Sequence, residues 1–272
     1  MPTYVITGVS KGLGWEFLNQ LSSDSSNTVI GLVRNKPATE KRVAEELSGR
    51  TNITILHGDL VDYSSLEKAA ADTAAITGGS IDYLIANAAQ VTEYDAYRSI
   101  DSLATDPGEL TKQFRSQMET NVLANIYLYH LFMPLILEGK IKKVVFISSG
   151  MGDLELTRNF NIDVTPVYST TKAAMNMINA KFSARYKKEG VLFLSICPGM
   201  VDVGKFSEVT AEQGARLGET VGKFKMYAPD WQGPDTPPSS VKAVLSVVNQ
   251  CSLENGDSGA FLSHYGDKQW LK

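Results

Sequence analysis

Tyr4-Val5-Ile6-Thr7-Gly8-Val9-Ser10-Lys11-Gly12-Leu13-Gly14 runs from a β-branched, apolar stretch straight into three spaced glycines. A stretch with helical periodicity, residues 14–21, follows at once. This order has a chemical reading. The chain must turn tightly, its backbone must come close to a pyrophosphate, and the helix must pack on the strand; each step needs a small residue. The helix N-terminus then offers free N–H groups and a positive dipole end to the phosphates. Gly8, Ser10, Lys11, Gly12, Leu13 and Gly14 are therefore expected to cradle a dinucleotide.

The pattern continues outward. Short apolar runs rich in β-branched residues occur at 4–7, 28–33, 53–56, 81–85, 144–147 and 191–196. Between them lie helix-period stretches at 14–21, 39–47, 64–76, 110–137 and 168–188. Strands alternating with helices predict crossover units and a parallel sheet covered on both faces. Asp62 and Ser64 stand where they can cap the third helix, and Pro37 where the second begins. Two stretches break the rhythm: 90–107, and 199–238 with its glycines, prolines and scattered aromatics. Both read as irregular insertions. A last helix (239–248) and a last strand (260–263) complete the pattern. No interdomain linker stands out, so the expectation is one domain over 1–272, with substrate loops at 150–166 and 199–238.

Composition narrows the function. The 272 residues are 43% hydrophobic and 21% charged, ordinary values for a globular chain. The net charge of −4 disfavours nucleic acid as a partner. Two cysteines and three histidines give neither a disulfide framework nor a metal-ligand cluster. With neither a leader nor a bilayer-spanning apolar run read from the sequence, a cytoplasmic protein without a membrane partner is expected.

The choice of dinucleotide rests on the tip of the second strand. An acidic residue there commonly holds the ribose hydroxyls of NAD. Here the strand ends in Arg34-Asn35-Lys36, and no carboxylate appears until Glu40. A guanidinium at that tip can stack on the adenine and bind a 2′-phosphate, with Lys11 as a second charge. NADP is therefore expected.

Tyr168 and Lys172 stand four residues apart in a helical stretch, hence on one face. A nearby ammonium stabilises a phenolate, so the pair can exchange a proton with a carbonyl or alcohol oxygen. Val144-Val145-Phe146-Ile147-Ser148-Ser149-Gly150 ends a buried strand in two hydroxyls. Ligands gather beyond such strand ends. Ser149 is the expected substrate-oxygen contact; Ser148 should point to the other side. Asn121, from its position alone, is a polar residue that kinks a long helix.

Together these residues resemble the short-chain dehydrogenase/reductase family, over nearly the whole chain. The parts are Thr7-Gly8 with Gly12 and Gly14, Asp59-Leu60, Asn87-Ala88-Ala89, Asn121, Ser149, Tyr168 with Lys172, and Pro198-Gly199. The resemblance implies a Rossmann-like, doubly wound α/β fold with an irregular substrate lid. It implies that Tyr168 is the catalytic acid, that Lys172 lowers its pKa and holds the nicotinamide ribose, and that Ser149 orients the carbonyl. Asn121 would bind through a water in a proton relay. Asp59 and Leu60 would meet the adenine, Asn87 the ribose, and Pro198, Gly199 and Val201 the nicotinamide end.

Three departures stand out. Ala89 replaces the family's usual glycine, Val203 stands where a threonine is common, and 18 residues separate Ser149 from Tyr168. The last of these, with Arg34, makes the chain similar to fungal ketoreductases and sniffer-type carbonyl reductases. Expected substrate walls are Met151, Met200, Phe206, Tyr227 and Trp231, whose character suits an apolar or aromatic carbonyl compound. The expected activity is NADPH-dependent reduction of a ketone or aldehyde. An NAD-linked alcohol dehydrogenase and a catalytically silent cofactor-binding protein are the alternatives. The family often pairs the long helices 110–137 and 168–188 between subunits, so the resemblance implies a homodimer or homotetramer, although a buried central helix predicts the same apolar pattern.

Overall fold

The computed structural model describes residues 1–204 and 209–272. The sheet consists of β1 (Thr3–Thr7), β2 (Thr28–Val33), β3 (Ile53–His57), β4 (Tyr83–Ala86), β5 (Lys143–Ile147), β6 (Leu192–Cys197) and β7 (Ala260–Ser263). All pairings are parallel, in the order β3-β2-β1-β4-β5-β6-β7. The order reverses beside β1, so a crevice opens there at the carboxyl ends of the strands. This is the expected doubly wound, Rossmann-like sheet.

Successive strand residues serve opposite faces. Val5, Val144 and Phe146 join one core with α3 (Tyr63–Thr77), α6 (Ala124–Glu138) and α8 (Pro166–Tyr186). Tyr4, Ile6, Val145 and Ile147 join the other, with α1 (Gly12–Ser22) and α10 (Pro237–Gln250). Both faces are dry, which explains why the strands read as continuous apolar runs. The helix α2 (Lys36–Glu46) begins as expected: Asn35 accepts from the Ala38 N–H, with Pro37 in the first turn. At α3 the cap is Asp62 alone, accepting from the N–H groups of Ser64 and Ser65.

Four expectations are corrected. The stretch 110–137 is not one regular helix but α5 (Pro107–Met118), a π-helical turn (Glu119–Leu123) and α6. By length and apolarity the run Pro107–Glu138 is sufficient to cross a membrane, contrary to the sequence reading. Its Leu128, Tyr129 and Phe132 lie in the core against the sheet. The insertion 90–107 carries the short helix α4 (Ile100–Ala104), and 151–165 carries α7 (Leu154–Phe160). The stretch 199–238 is not irregular throughout: α9 (Ala211–Tyr227) occupies its middle. A capping box starts α9, with the Thr210 side chain on the Gln213 N–H and the Gln213 side chain on the Thr210 N–H. Phe206 lies outside the described residues.

Candidate active site

A cleft of about 990 Å³ runs across the carboxyl ends of β1 to β5. At one end lies the glycine loop. Gly8 has φ +76°, and Gly12 φ +57°, a region that side chains rarely adopt. Gly14 sits so close to the loop that a Cβ there would stand 2.1 Å from the Gly8 carbonyl oxygen and 2.6 Å from Asn87 Nδ2. The loop is tied to its neighbours. The Thr7 hydroxyl accepts from the N–H groups of Asn87 and Ala88, both at 3.0 Å, and the Asn87 amide donates to the Thr7 carbonyl at 2.9 Å. These bonds join the ends of β1 and β4 on either side of the crevice.

Gly8, Ser10, Lys11, Gly12, Leu13, Gly14, Arg34, Asp59, Leu60, Asn87, Tyr168, Lys172 and Pro198 all line this cleft. So do several residues that the sequence reading did not single out, including Val61, Gln90 and Thr120. Arg34 is exposed at the tip of β2 and, among the described residues, makes no ion pair. Lys36, two residues on, does not line this cleft. It reaches Glu40 at 3.6 Å and lines another groove, beside Arg50 and β3. Arg42 was not anticipated. Its guanidinium lies 3.8 Å from the centroid of the Trp15 ring and donates to the Ser10 carbonyl at 3.0 Å, holding the glycine loop from behind.

A dinucleotide fits what the chain presents here. The glycine cradle leaves main-chain N–H groups at a helix start, and a free guanidinium stands one strand away. Across the cleft, Val203 reaches within 3.6 Å of where a Gly12 Cβ would stand, so the segment after β6 comes over the loop. Val201 is held in a parallel bridge to Asp235, and Gly199 packs on His264; neither lines the cleft.

At the other end, α8 brings Tyr168 and Lys172 to the strand ends. Lys172 is buried, and its Nζ donates to the Ile147 carbonyl at 2.7 Å. That Nζ also lies 5.5 Å from the centre of the Tyr168 ring. Burial pushes Lys172 down to about 7. Burial likewise holds the Tyr168 phenol above its ordinary value; a nearby Cys197 adds to this, and a hydrogen bond with Ser149 opposes it. The expected lowering of Tyr168 by Lys172 is thus not the dominant influence in the chain by itself: desolvation of both groups is.

Ser149 stands beside Tyr168 as expected, and its hydroxyl also accepts from the Met151 N–H at 3.2 Å. Ser148 is directed elsewhere and donates to Asn176 Oδ1 at 2.7 Å. Close packing keeps Ser149 near the helix: a Cβ on Gly152 would come 3.1 Å from Lys172 Cβ, and one on Gly150 would meet the Trp270 ring at 2.9 Å. Asn121 is buried in the π-helical turn, so the kink is real. Its Oδ1 accepts from the Gln90 N–H at 2.6 Å, and its amide donates to the Gln90 carbonyl and to the Thr171 hydroxyl. It thereby knits the cleft wall to the helix that carries Tyr168.

The expected substrate walls lie in the lid. Met151 packs with Leu156, Cys197 and Trp270, and Met200 packs against Trp231 and Leu271. Tyr227 accepts from the Trp270 N–H at 2.8 Å. Trp231 is buried edge-on against Phe224, in a cluster with Met200, Ala228 and Leu271. None of these four lines the nucleotide cleft.

The sequence profile of the short chain dehydrogenases matches residues 2–214. The chain belongs to this family. Its relative in Hypocrea virens, the short chain dehydrogenase virK, is 53% identical over 271 residues covering all of both chains. The NADPH-bound carbonyl reductase from chicken fatty liver superposes with a TM-score of 0.78, covering 98% of each chain at 23% identity. The carbonyl reductase Sniffer of D. melanogaster gives 0.76 over 98% of each chain at 18% identity. These last two likenesses concern the fold. Family membership makes the protein an oxidoreductase of the nicotinamide-binding kind.

Proposed function

We propose that the protein is an NADPH-dependent carbonyl reductase that converts an apolar or aromatic ketone or aldehyde to an alcohol. The observation that carries this reading is the meeting of Tyr168 and Lys172, with Ser149 hydrogen-bonded to the phenol, at one end of a cleft whose other end holds the glycine loop and Arg34. Arg34 and Lys11 would receive the 2′-phosphate, the loop N–H groups the pyrophosphate, and Asp59 and Leu60 the adenine.

When bound, the nicotinamide supplies the hydride that reduces the carbonyl carbon. The chain does the rest. The Ser149 hydroxyl donates to the substrate oxygen and holds it facing the Tyr168 phenol. As charge develops on that oxygen, Tyr168 gives it the phenolic proton. The phenolate left behind is stabilised by the Lys172 ammonium, which the Ile147 carbonyl keeps on the same side of α8. Asn121 maintains the position of α8 through Thr171. The apolar lid over the site, with Met151, Phe160, Phe224 and Tyr227 partly buried, favours a substrate with few charges. Exposed Phe114, Leu123, Tyr127 and Met177 on α5, the π-helical turn, α6 and α8 support a homodimer or homotetramer.

The test mixes the protein with NADPH or NADH and a panel of aromatic ketones and quinones, and follows the absorbance of the reduced nicotinamide. Turnover that prefers NADPH and disappears in Tyr168→Phe is expected. Turnover with NADH alone favours the alcohol dehydrogenase reading. No turnover with any carbonyl compound, or a Tyr168→Phe variant as fast as the parent, overturns the proposal.

A further inference from the structure

Helix α8 carries the two residues on which the chemistry turns, yet it lacks a cap of its own. Its N-cap residue, Thr165, sits in the left-handed region at φ 56°, and its hydroxyl meets the Ser169 hydroxyl at 3.1 Å rather than a main-chain N–H of the first turn. Pro166 opens the helix and has no N–H. The next orphan donors would normally be met by a polar side chain just before the helix. Instead, the Tyr168 N–H donates at 2.9 Å to Oδ2 of Asp95, 73 residues away. The Thr165 N–H donates to the Asp95 carbonyl at 3.0 Å. One residue of the 90–107 insertion thus receives both bonds at the start of the catalytic helix.

The chemistry of Asp95 is unusual for a merely structural residue. It is 1% exposed. Among the described residues no lysine, arginine or histidine forms an ion pair with it. Its remaining partners are neutral: the Gln117 amide at 3.3 Å and the Thr92 hydroxyl at 3.4 Å, both on Oδ1. A buried carboxylate without a cation is expensive, and a neutral asparagine would cap a helix as well. The compensation comes from the hydrogen bonds and from the positive end of α8 itself.

We propose that Asp95 is a positioning residue for Tyr168: its buried carboxylate replaces the missing N-cap of α8, fixes where the phenol stands, and places a negative charge behind it. This rests on the reading of Tyr168 as the proton donor. The groups that face the phenol are Lys172 from its own helix, Ser149 from the end of β5, Cys197 from the end of β6, and Asp95 from the insertion. Of these, Asp95 is the one that holds the tyrosine's own main chain.

Two variants separate its two roles. Asp95→Ala removes the acceptor. It should expose the Tyr168 amide to hydrogen exchange and lower kcat roughly tenfold to hundredfold, with less change in the KM for cofactor, because a displaced proton donor slows chemistry more than binding. Asp95→Asn keeps an acceptor and removes the charge. It should preserve the amide protection, restore most of the lost kcat, and shift the phenolate titration of Tyr168 downward by on the order of 0.5 unit. That titration is read as the ultraviolet difference between each protein and its Tyr168→Phe counterpart. If Asp95→Asn titrates like the parent and both variants keep the parental kcat and amide protection, the proposal is wrong. If Asp95→Ala does not fold, Asp95→Asn still decides through its titration. Exchange and titration need no turnover, so a parent that reduces no carbonyl compound overturns the proposed function and leaves the role of Asp95 to these two readouts.

Discussion

Lys172 Nζ donates a 2.7 Å hydrogen bond to the carbonyl oxygen of Ile147, the last residue of β5. The bond aims the side chain across the sheet end, below the Tyr168 ring. Burial, with no carboxylate paired to it among the described residues, pushes the ammonium down to about 7. An unfolded lysine keeps its proton to about 10.4. Between these values the unfolded chain binds more protons than the native one, so this group makes stability rise with pH. Below pH 7 both states are protonated and the burial penalty is constant. Denaturant unfolding of the parent and Lys172→Met at a series of pH values should therefore show the stability difference flat below 7 and moving in favour of the parent up to about 10. Parallel curves across that window would contradict the burial assignment.

Arg34 decides between cofactors. It is exposed, lines the cleft, and stands where an acidic residue would bind ribose hydroxyls. Arg34→Asp should weaken NADPH binding at least tenfold, a loss of about 1.4 kcal/mol, since a charge-assisted contact is replaced by repulsion of the 2′-phosphate. NADH binding should stay the same or improve. Nucleotide fluorescence titration measures both. Equal losses for the two cofactors would remove Arg34 from the assignment.

The sheet and the site were legible for the same physical reason. Parallel strands buried on both faces become apolar runs, and ligand-facing residues collect where those runs end. The glycine loop, Ser149 and the Tyr168–Lys172 spacing all sit at such ends. What stayed hidden depends on contacts between distant segments. Asp95 in an apparently irregular insertion gave no local signal, since its partner is 73 residues away. Likewise Arg42 reaches back 32 residues to Ser10. In α9, Gly214, Gly218 and Gly222 made a helical stretch look like a loop, because each glycine lowers helix propensity by about 1 kcal/mol. The Thr210-to-Gln213 capping box was the signal that could have found it. Tyr227, which read as a substrate wall, and Phe224 anchor that helix to the cores beneath.

Asp163 fastens the lid. It precedes α8 and accepts from Lys223 at 2.6 Å and Arg216 at 2.8 Å, both on α9. Burial opposes its charge, yet the bonds from Lys223 and Arg216 hold the carboxyl at about 2. A depressed carboxyl stabilises the fold above its unfolded value near 3.9, and that stability is lost as pH falls through about 2. The pairs are substantially exposed, so Asp163→Asn should cost no more than about 1 kcal/mol in global stability. Its larger effect should be local: limited proteolysis within 209–236 should quicken several-fold at pH 7. The difference from the parent should narrow as the pH falls from 4 towards 2. A lid cleaved at the parental rate at pH 7 would show that the ion pairs do not hold it.

The same substitution, glycine to alanine, should have opposite signs at two helical positions. Gly222 lies within α9, is exposed, and has no heavy atom within 4 Å of where a Cβ would stand, among the described residues. Gly222→Ala should raise stability by about 0.4–1 kcal/mol by reducing the freedom of the unfolded chain. Gly14 has the same nominal preference, but its Cβ would stand 2.1 Å from the Gly8 carbonyl oxygen and 2.6 Å from Asn87 Nδ2. Relief requires the glycine loop to move away from β4, which breaks the bond from Asn87 to the Thr7 carbonyl. Gly14→Ala should therefore destabilise the protein by at least 1–3 kcal/mol, the usual range for an overpacked site. NADPH binding should fall more than tenfold, because the main chain that meets the pyrophosphate is the part displaced. Thermal unfolding and nucleotide titration of both variants give the comparison. A Gly14→Ala protein as stable as the parent and binding NADPH equally well would mean that the loop yields without loss.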